Sequence, residues 1–257
     1  MALHVIAGIT CVIHPEAWPW VLLVLVGNHA VLSGAVLWPR SSLLGANVVR
    51  LPERSARRGE VSLTFDDGPE PEITPRVLDL LDRYQMKASF FCVGRKVSAR
   101  PEIVKEIARR GHSVENHSYH HSSAFAFYGL SRLAREIDAA QTTIADATGR
   151  LPGFFRAPAG FRSPMLDPVL ARRGLHYVSW TRRAYDTVRS DPGAVLRKLT
   201  DGLAAGDVLL LHDGAHNTTT QGEPMVLAVL PALLERIRES GLKSVTLRTA
   251  FDNESRH

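Results

Sequence analysis

The stretch LTFDDGPEPEITP, residues 63–75, decides the reading of the chain. A short apolar run ends in two adjacent carboxylates, Asp66 and Asp67, followed by Gly68-Pro69, which favour a turn. Beyond the turn, TPRVLDLLDRY carries a helical pattern, with Thr74 as the expected N-cap and Pro75 at the first helical position. The unit is a strand followed by a helix, with charge gathered where the strand ends. A turn alone explains Gly68 and Pro69. It does not explain two like charges side by side, which repel unless something neutralises them.

Outward from this stretch the same unit recurs. Strand-like runs fall at residues 61–65, 88–93, 113–116, 154–156, 176–180, 207–212 and 244–248, with amphipathic helical patterns between them. RPEIVKEIARRG closes on Gly111 as a C-cap, and the pattern beginning LSRLAREID places Leu130, Leu133, Ile137 and Ile144 on one face. Seven strands joined by helical crossovers predict an α/β fold with a parallel sheet covered on both faces, closed or nearly closed into a barrel. The chain of 257 residues, 45% hydrophobic and 22% charged, suits one large domain with an appendage. Its net charge of +5 comes without a basic stripe interleaved with aromatics, so no nucleic-acid partner is expected. With only Cys11 and Cys92, neither a disulfide framework nor a cysteine metal cluster is expected.

Residues 1–38 form a hydrophobic N-terminal segment and are expected to anchor the chain in a membrane. The run 17–38, AWPWVLLVLVGNHAVLSGAVLW, carries no charged side chain and exceeds the roughly 20 residues that span a bilayer. Trp18, Trp20 and Trp38 stand near its ends, where indole rings favour the headgroup layer. A buried helix packed on the domain is the competing reading. No Lys or Arg precedes Arg40, so the basic region of a cleavable signal is missing. Residues 39–60, with Arg40, Arg50, Arg54, Arg57 and Arg58, read as a basic linker, and residues 61–250 as the globular domain. For a single span, the arginine flank places that domain on the cytoplasmic side.

Polar residues collect at the carboxyl ends of the strands, where parallel α/β folds place their chemistry. They are Asp66-Asp67, then His117, His120 and His121 in NHSYHH, Arg156 in FFRAPAG, Asp186, and His212-Asp213. His117 and His121 are four apart, a spacing that on a helical turn aligns both imidazoles. Two imidazoles and a carboxylate make a three-ligand site with an open position. Zinc suits this donor set, and cobalt or iron fit it too. One aspartate then binds the metal, while the other stays free as a base for water whose pKa the dication lowers. His112 and His120 read as loop or surface residues. Arg182 or Arg183 in WTRRAYD would favour an anionic substrate if either reached the site mouth, although surface arginines are the plainer reading.

TFDDGP, HSYHH, RAPAG and LLLHD, in that order, resemble the polysaccharide deacetylases with a NodB-type domain, a metal-dependent carbohydrate esterase family. The resemblance covers about residues 61–248. It implies a distorted (β/α)7-type barrel that hydrolyses an N-acetyl or O-acetyl group on a sugar of a polysaccharide or glycolipid. Carried onto this chain, Asp66 is the general base, Asp67, His117 and His121 are the metal ligands, and Arg156 orients the base. His212 is the general acid and Asp186 tunes it. Leu210 lines the pocket for the acetyl methyl, Pro158 and Ala159 contact substrate, and the Ala159 N–H serves the oxyanion. Ser118 supports the histidine loop.

Two departures bear on substrate. Ala159 stands where the family often has an aromatic residue, and Asp186-Thr187 where an Asp-Trp pair is common. Flat surface for stacking sugar rings is lost at both, so a lipid-linked sugar or glycolipid is as compatible as a long polymer. Two alternatives accompany the deacetylase reading: removal of formyl or another acyl group from a lipid-linked amino-sugar, and a catalytically silent barrel that binds glycan. A bacterial-type inner membrane in the cell envelope is the expected location. The side stays open, since the family works mostly outside the cytoplasm while the arginine flank points inward.

Overall fold

The computed structural model describes residues 2–214 and 217–252. The sheet is built around strand β1, Glu60–Asp66, every residue of which is buried. On one side lie β2 (Ala88–Cys92), β3 (Ser113–Asn116), β4 (Phe154–Phe155) and β5 (His176–Tyr177). On the other lie β7 (Val208–His212) and β6 (Arg182–Arg183), while β8 (Lys243–Ser244) pairs with the start of β1. The order β5-β4-β3-β2-β1-β7-β6 is parallel throughout and curls into an incomplete barrel.

Alternation along β1 sorts its side chains onto two faces. Leu63 and Phe65 join Phe90, Leu209 and Leu211 in the main core, packed under the helices Thr74–Arg83 and Met225–Glu239. Thr64 and Asp66 turn inward, in register with Leu210 and His212 of β7. Phe91, Val178, Val208, Leu247 and Ala250 fill the barrel floor below them. The chemistry-bearing positions are thus the upper layers of a barrel whose lower layers are apolar.

The structure departs from the sequence reading at several points. β6 has only two residues and lies in a stretch to which the sequence reading assigned neither strand nor helix. The last strand stops at Ser244, and Leu247–Asp252 is a helix whose Leu247 and Ala250, three apart, plug the floor. Leu130 opens the helix Leu130–Thr148 but is 49% exposed, whereas Leu133, Ile137 and Ile144 are fully buried. Thr74 is not an N-cap. Its hydroxyl donates to Asp213 Oδ2 at 2.6 Å and accepts from the Glu70 N–H at 2.8 Å.

β5 and β6 do not pair with each other, and the chain ahead of β1 lies across that seam. Val48 N–H donates to Tyr177 O and Ser179 N–H to Val48 O, both at 2.9 Å, while Leu51 N–H donates to Gly206 O. Arg50 reaches the buried Asp207 at 2.9 Å. Arg162, fully buried, donates to the carbonyls of Ser41, Leu44 and Gly45. Much of the stretch 39–60 is therefore fastened to the barrel.

Ahead of it, the helices Ala2–Ile13 and Trp18–Leu37 pack against each other, with His4 and His29 edge to face at 5.2 Å. The segment Pro15–Leu37, 23 residues whose most apolar stretch of 18 has mean hydropathy 1.9, is long and apolar enough to cross a membrane. Only 6% of its apolar window is buried, which a core helix would not show.

Candidate active site

Asp67 follows β1, and His117 and His121 follow β3. Their ligand atoms all lie within 4.8 Å of one another. His121 Nε2 is 3.0 Å and His117 Nε2 3.3 Å from Asp67 Oδ1. Both nitrogens sit off the hydrogen-bonding direction, so Oδ1 is buried with no donor. Three potential ligand atoms gathered around one point, with a buried carboxylate oxygen orphaned among them, fit a cation. His117 is buried while Asp67 and His121 are half-buried, so the centre is open on one side.

The two histidines do not lie on a helical turn. Residues 117–121 form a loop in which Ser118 has φ +62° and His121 φ +53°. Asn116 Oδ1 accepts from Ser118 N–H at 2.9 Å, and Ser118 Oγ accepts from His121 N–H at 3.1 Å. Asn116 is itself held to Ile137 O and Gln141 Oε1. His117 Nδ1 donates to Arg156 O at 2.8 Å, which leaves Nε2 as the lone-pair nitrogen facing Asp67. Asp67, Ala159 and Tyr185 also hold left-handed φ values, so five non-glycine residues around the centre carry backbone strain. Packing enforces it at Asp67: a Cβ on Gly214 would stand 2.1 Å from Asp67 O, so only glycine lets β7's end approach.

Asp66 lies beside the triad, its Oδ2 3.8 Å from His117 Nε2. Its Oδ1 is tied to Arg156 Nη1 at 2.6 Å. Arg156 has no exposed surface and also donates to Thr64 Oγ1, Val178 O and Ser179 O, with its guanidinium 4.1 Å from the Phe91 ring centre. Thr64 and the two carbonyls went unseen in the sequence. The signal for Thr64 was its place two residues before Asp66 on the same strand face. Arg156→Leu is expected to destabilise the fold by about 3–5 kcal/mol, because it strands a buried carboxylate. Urea unfolding checks this, and Asp66→Leu added to Arg156→Leu should regain part of the loss.

Opposite stands His212, whose Nδ1 lies 2.9 Å from Asp186 Oδ1, while its backbone N–H donates to Asp186 Oδ2 at 2.8 Å. Burial opposes charge on this imidazole, but the Asp186 carboxylate prevails and pushes its pKa up to about 8. Leu210 lies two residues below His212 on the same inward face, almost fully buried. Pro158 is buried and Ala159 exposed in the turn after β4. Every residue expected at the site therefore stands at one mouth of the barrel. His120 is elsewhere engaged: its ring and N–H both bind Glu136. Arg182 is occupied by Asp207 and the carbonyls of Asp201 and Gly202. Asp213, which the sequence places beside His212 at the strand end, carried no assigned role. Burial, opposed by its hydrogen bond from Thr74, pushes its carboxyl up to about 7, and a Cβ on Gly68 would meet it at 2.5 Å.

Comparison with known proteins bears on the family of the chain. A family model described as polysaccharide deacetylase matches residues 53–178. Over 197 residues the chain is 30% identical to a chitooligosaccharide deacetylase of Sinorhizobium fredii, an alignment covering 74% of this chain and 91% of that one. The chain belongs to the polysaccharide deacetylase family. It is also 31% identical over 201 residues to a peptidoglycan-N-acetylglucosamine deacetylase of Listeria monocytogenes, covering 77% of this chain but spanning only 41% of that longer protein. Among solved structures, a family 4 carbohydrate esterase from Streptomyces lividans in complex with acetate superposes with a TM-score of 0.65 at 32% identity, over 72% of this chain and 91% of that one. In this family member, the matched region holds Asp66, Asp67, His117, His121 and Arg156. Asp186 and His212 lie beyond it and join the site through β6 and β7.

Proposed function

We propose that this protein is a membrane-anchored hydrolase that removes an acetyl group from an N-acetylated sugar. The observation that carries the reading is the convergence of Asp67, His117 and His121 on one open-sided centre, flanked by Asp66 and His212. Family membership and relatives named as deacetylases of N-acetylglucosamine in peptidoglycan or of chitooligosaccharides support the reaction class. The exposed apolar segment Pro15–Leu37 supports the anchor.

Asp67, His117 and His121 would hold a divalent metal, zinc being the ion their donor set suits best. When bound, such an ion supplies Lewis acidity toward the acyl carbonyl and lowers the pKa of water. Asp66 is placed to accept the proton of the attacking water. Arg156 fixes its Oδ1, which leaves Oδ2 turned toward the triad. The Ala159 N–H serves the charge that develops on the acyl oxygen. His212, protonated through its pairing with Asp186, delivers a proton to the departing amine nitrogen. Acetate and a free amino-sugar result. Leu210 beneath His212 offers an apolar wall for the acetyl methyl.

Acetate release from tri-N-acetylchitotriose by the purified, zinc-loaded chain tests this reading. Acetate with loss of one acetyl per sugar is expected, whereas formate from a formylated sugar, with no acetate, would move the assignment to a deformylase. A pH dependence follows as well. His212 must be protonated to act, so activity falls as pH rises through about 8. Asp186→Asn removes the group that raises this pKa, so the alkaline limb of kcat/KM should move to lower pH. An unmoved limb would detach His212 from the acid role.

A further inference from the structure

Between the end of the apolar helix and the barrel mouth lies a cavity of about 330 Å³. Trp38 and Arg40 line it from the helix side, and Phe161, Trp180, Arg183 and Tyr185 from the barrel. Among the described residues no carboxylate lines it. The Arg183 guanidinium stands 5.2 Å from the Trp180 ring centre and 4.9 Å from that of Tyr185, so aromatic faces hold it in place. Its Nε is buried without an acceptor, unlike the guanidinium of its neighbour Arg182. Arg40 is exposed at the same cavity, 5.9 Å from the Trp38 ring.

The cavity adjoins the catalytic groups. Tyr185 directly precedes Asp186, which binds His212, and Phe161 follows Ala159 by two residues. The helix end is also fixed there. Arg162 grips three carbonyls of residues 41–45, and a Cβ on Gly160 would meet Trp180 at 2.5 Å and Pro39 at 3.2 Å. The last turn of the apolar segment, three exposed aromatic residues and two cations therefore meet within one short reach of the site. This is the level at which a membrane amphiphile presents its polar group.

We propose that this cavity takes the phosphate of an amphiphilic substrate, so that the acylated sugar is joined to a membrane lipid through a phosphate ester. The inference rests on the hydrolase reading above. A guanidinium held flat by two rings keeps its N–H edge for oxyanions, and phosphate matches that edge in charge and geometry. Aromatic residues beside it suit the first methylenes of the lipid chain. Polymer-length glycan needs neither feature.

The test uses the full chain in neutral detergent micelles, loaded with zinc. Two probes are compared: a decyl phosphodiester of N-acetylglucosamine and the phosphate-free decyl glycoside of the same sugar. Acetate release and calorimetric binding are both measured. Wild-type kcat/KM should favour the phosphodiester at least about tenfold, the worth of a charge-assisted hydrogen bond. Arg183→Gln should bring the ratio near one, and Arg40→Gln should lower it partway. Equal turnover of the two probes, unchanged by Arg183→Gln, would overturn the proposal while leaving the hydrolase reading intact. Binding that needs both phosphate and Arg183, with no acetate from either probe, would uphold the cavity and sink the hydrolase reading. If Arg183→Gln lowers turnover of the phosphate-free glycoside only when phosphatidylglycerol is added, the cavity serves a bulk headgroup and the substrate assignment falls.

Discussion

His117→Ala is expected to remove bound metal and turnover together. Losing a partner that merely orients a metal ligand costs roughly 10–100-fold in affinity or activity, and losing a ligand should cost more. His117 is both a ligand candidate and the most buried member of its set, fixed by its Nδ1 bond to Arg156 O. Its removal leaves Asp67 and the half-buried His121 on a strained loop as the remaining donors. Plasma mass spectrometry of the purified protein should find about one metal per chain in the wild type and a small fraction of that in the variant. The fold should persist, because the loop is also held by Asn116 and Ser118. A fully loaded, inactive His117→Ala would assign the ion to another site.

Asp66→Asn separates the base from the metal. It keeps the size of the side chain and lies beside the triad, its Oδ2 3.8 Å from His117 Nε2. Turnover should fall by about 10²–10⁴-fold, the usual worth of a positioned proton acceptor. Metal content should stay near that of the wild type, and the loss should lie in kcat with little change in KM. This contrast is the informative one: His117→Ala loses both properties, Asp66→Asn one. Parallel loss of metal in Asp66→Asn would make Asp66 a fourth ligand and leave the base unassigned.

The sequence pointed to the candidate residues more fully than to the way they are held. Asp66, Asp67 and His212 were legible because a polar group at the end of an apolar strand is costly to bury unless it is paired or binds something. The histidine pair was found by a spacing argument whose geometry does not hold. A left-handed loop, pinned by Asn116 and Ser118, brings the rings together instead of a helix. Local spacing could not show this, since the pinning bonds depend on Asn116 being held by a helix some 20 residues later in the chain. Thr74 reads as a cap from its neighbours alone, yet its hydroxyl is claimed by Asp213, distant in sequence.

The same limit explains the seam. β6 is two residues long and carries no alternation to detect, and residues 48–51 look like linker because their partners, Tyr177 and Gly206, are contributed by remote segments. Arg162 was not singled out at all, although it fastens residues 41–45 to the barrel from a fully buried position. These long-range contacts matter to function because they fix where the apolar helix ends relative to Ala159 and Asp186. Without them the distance from the end of the apolar helix to the barrel mouth would be set by a tether and not by the fold.

The most direct measurement is an anomalous-scattering map of crystals grown with zinc, collected on both sides of the zinc absorption edge. One strong peak is expected among Asp67, His117 Nε2 and His121 Nε2, at about 2.0–2.2 Å from each donor, with Asp66 outside bonding distance. A map with no peak there, or one showing either imidazole turned away from Asp67, would contradict this ligand set.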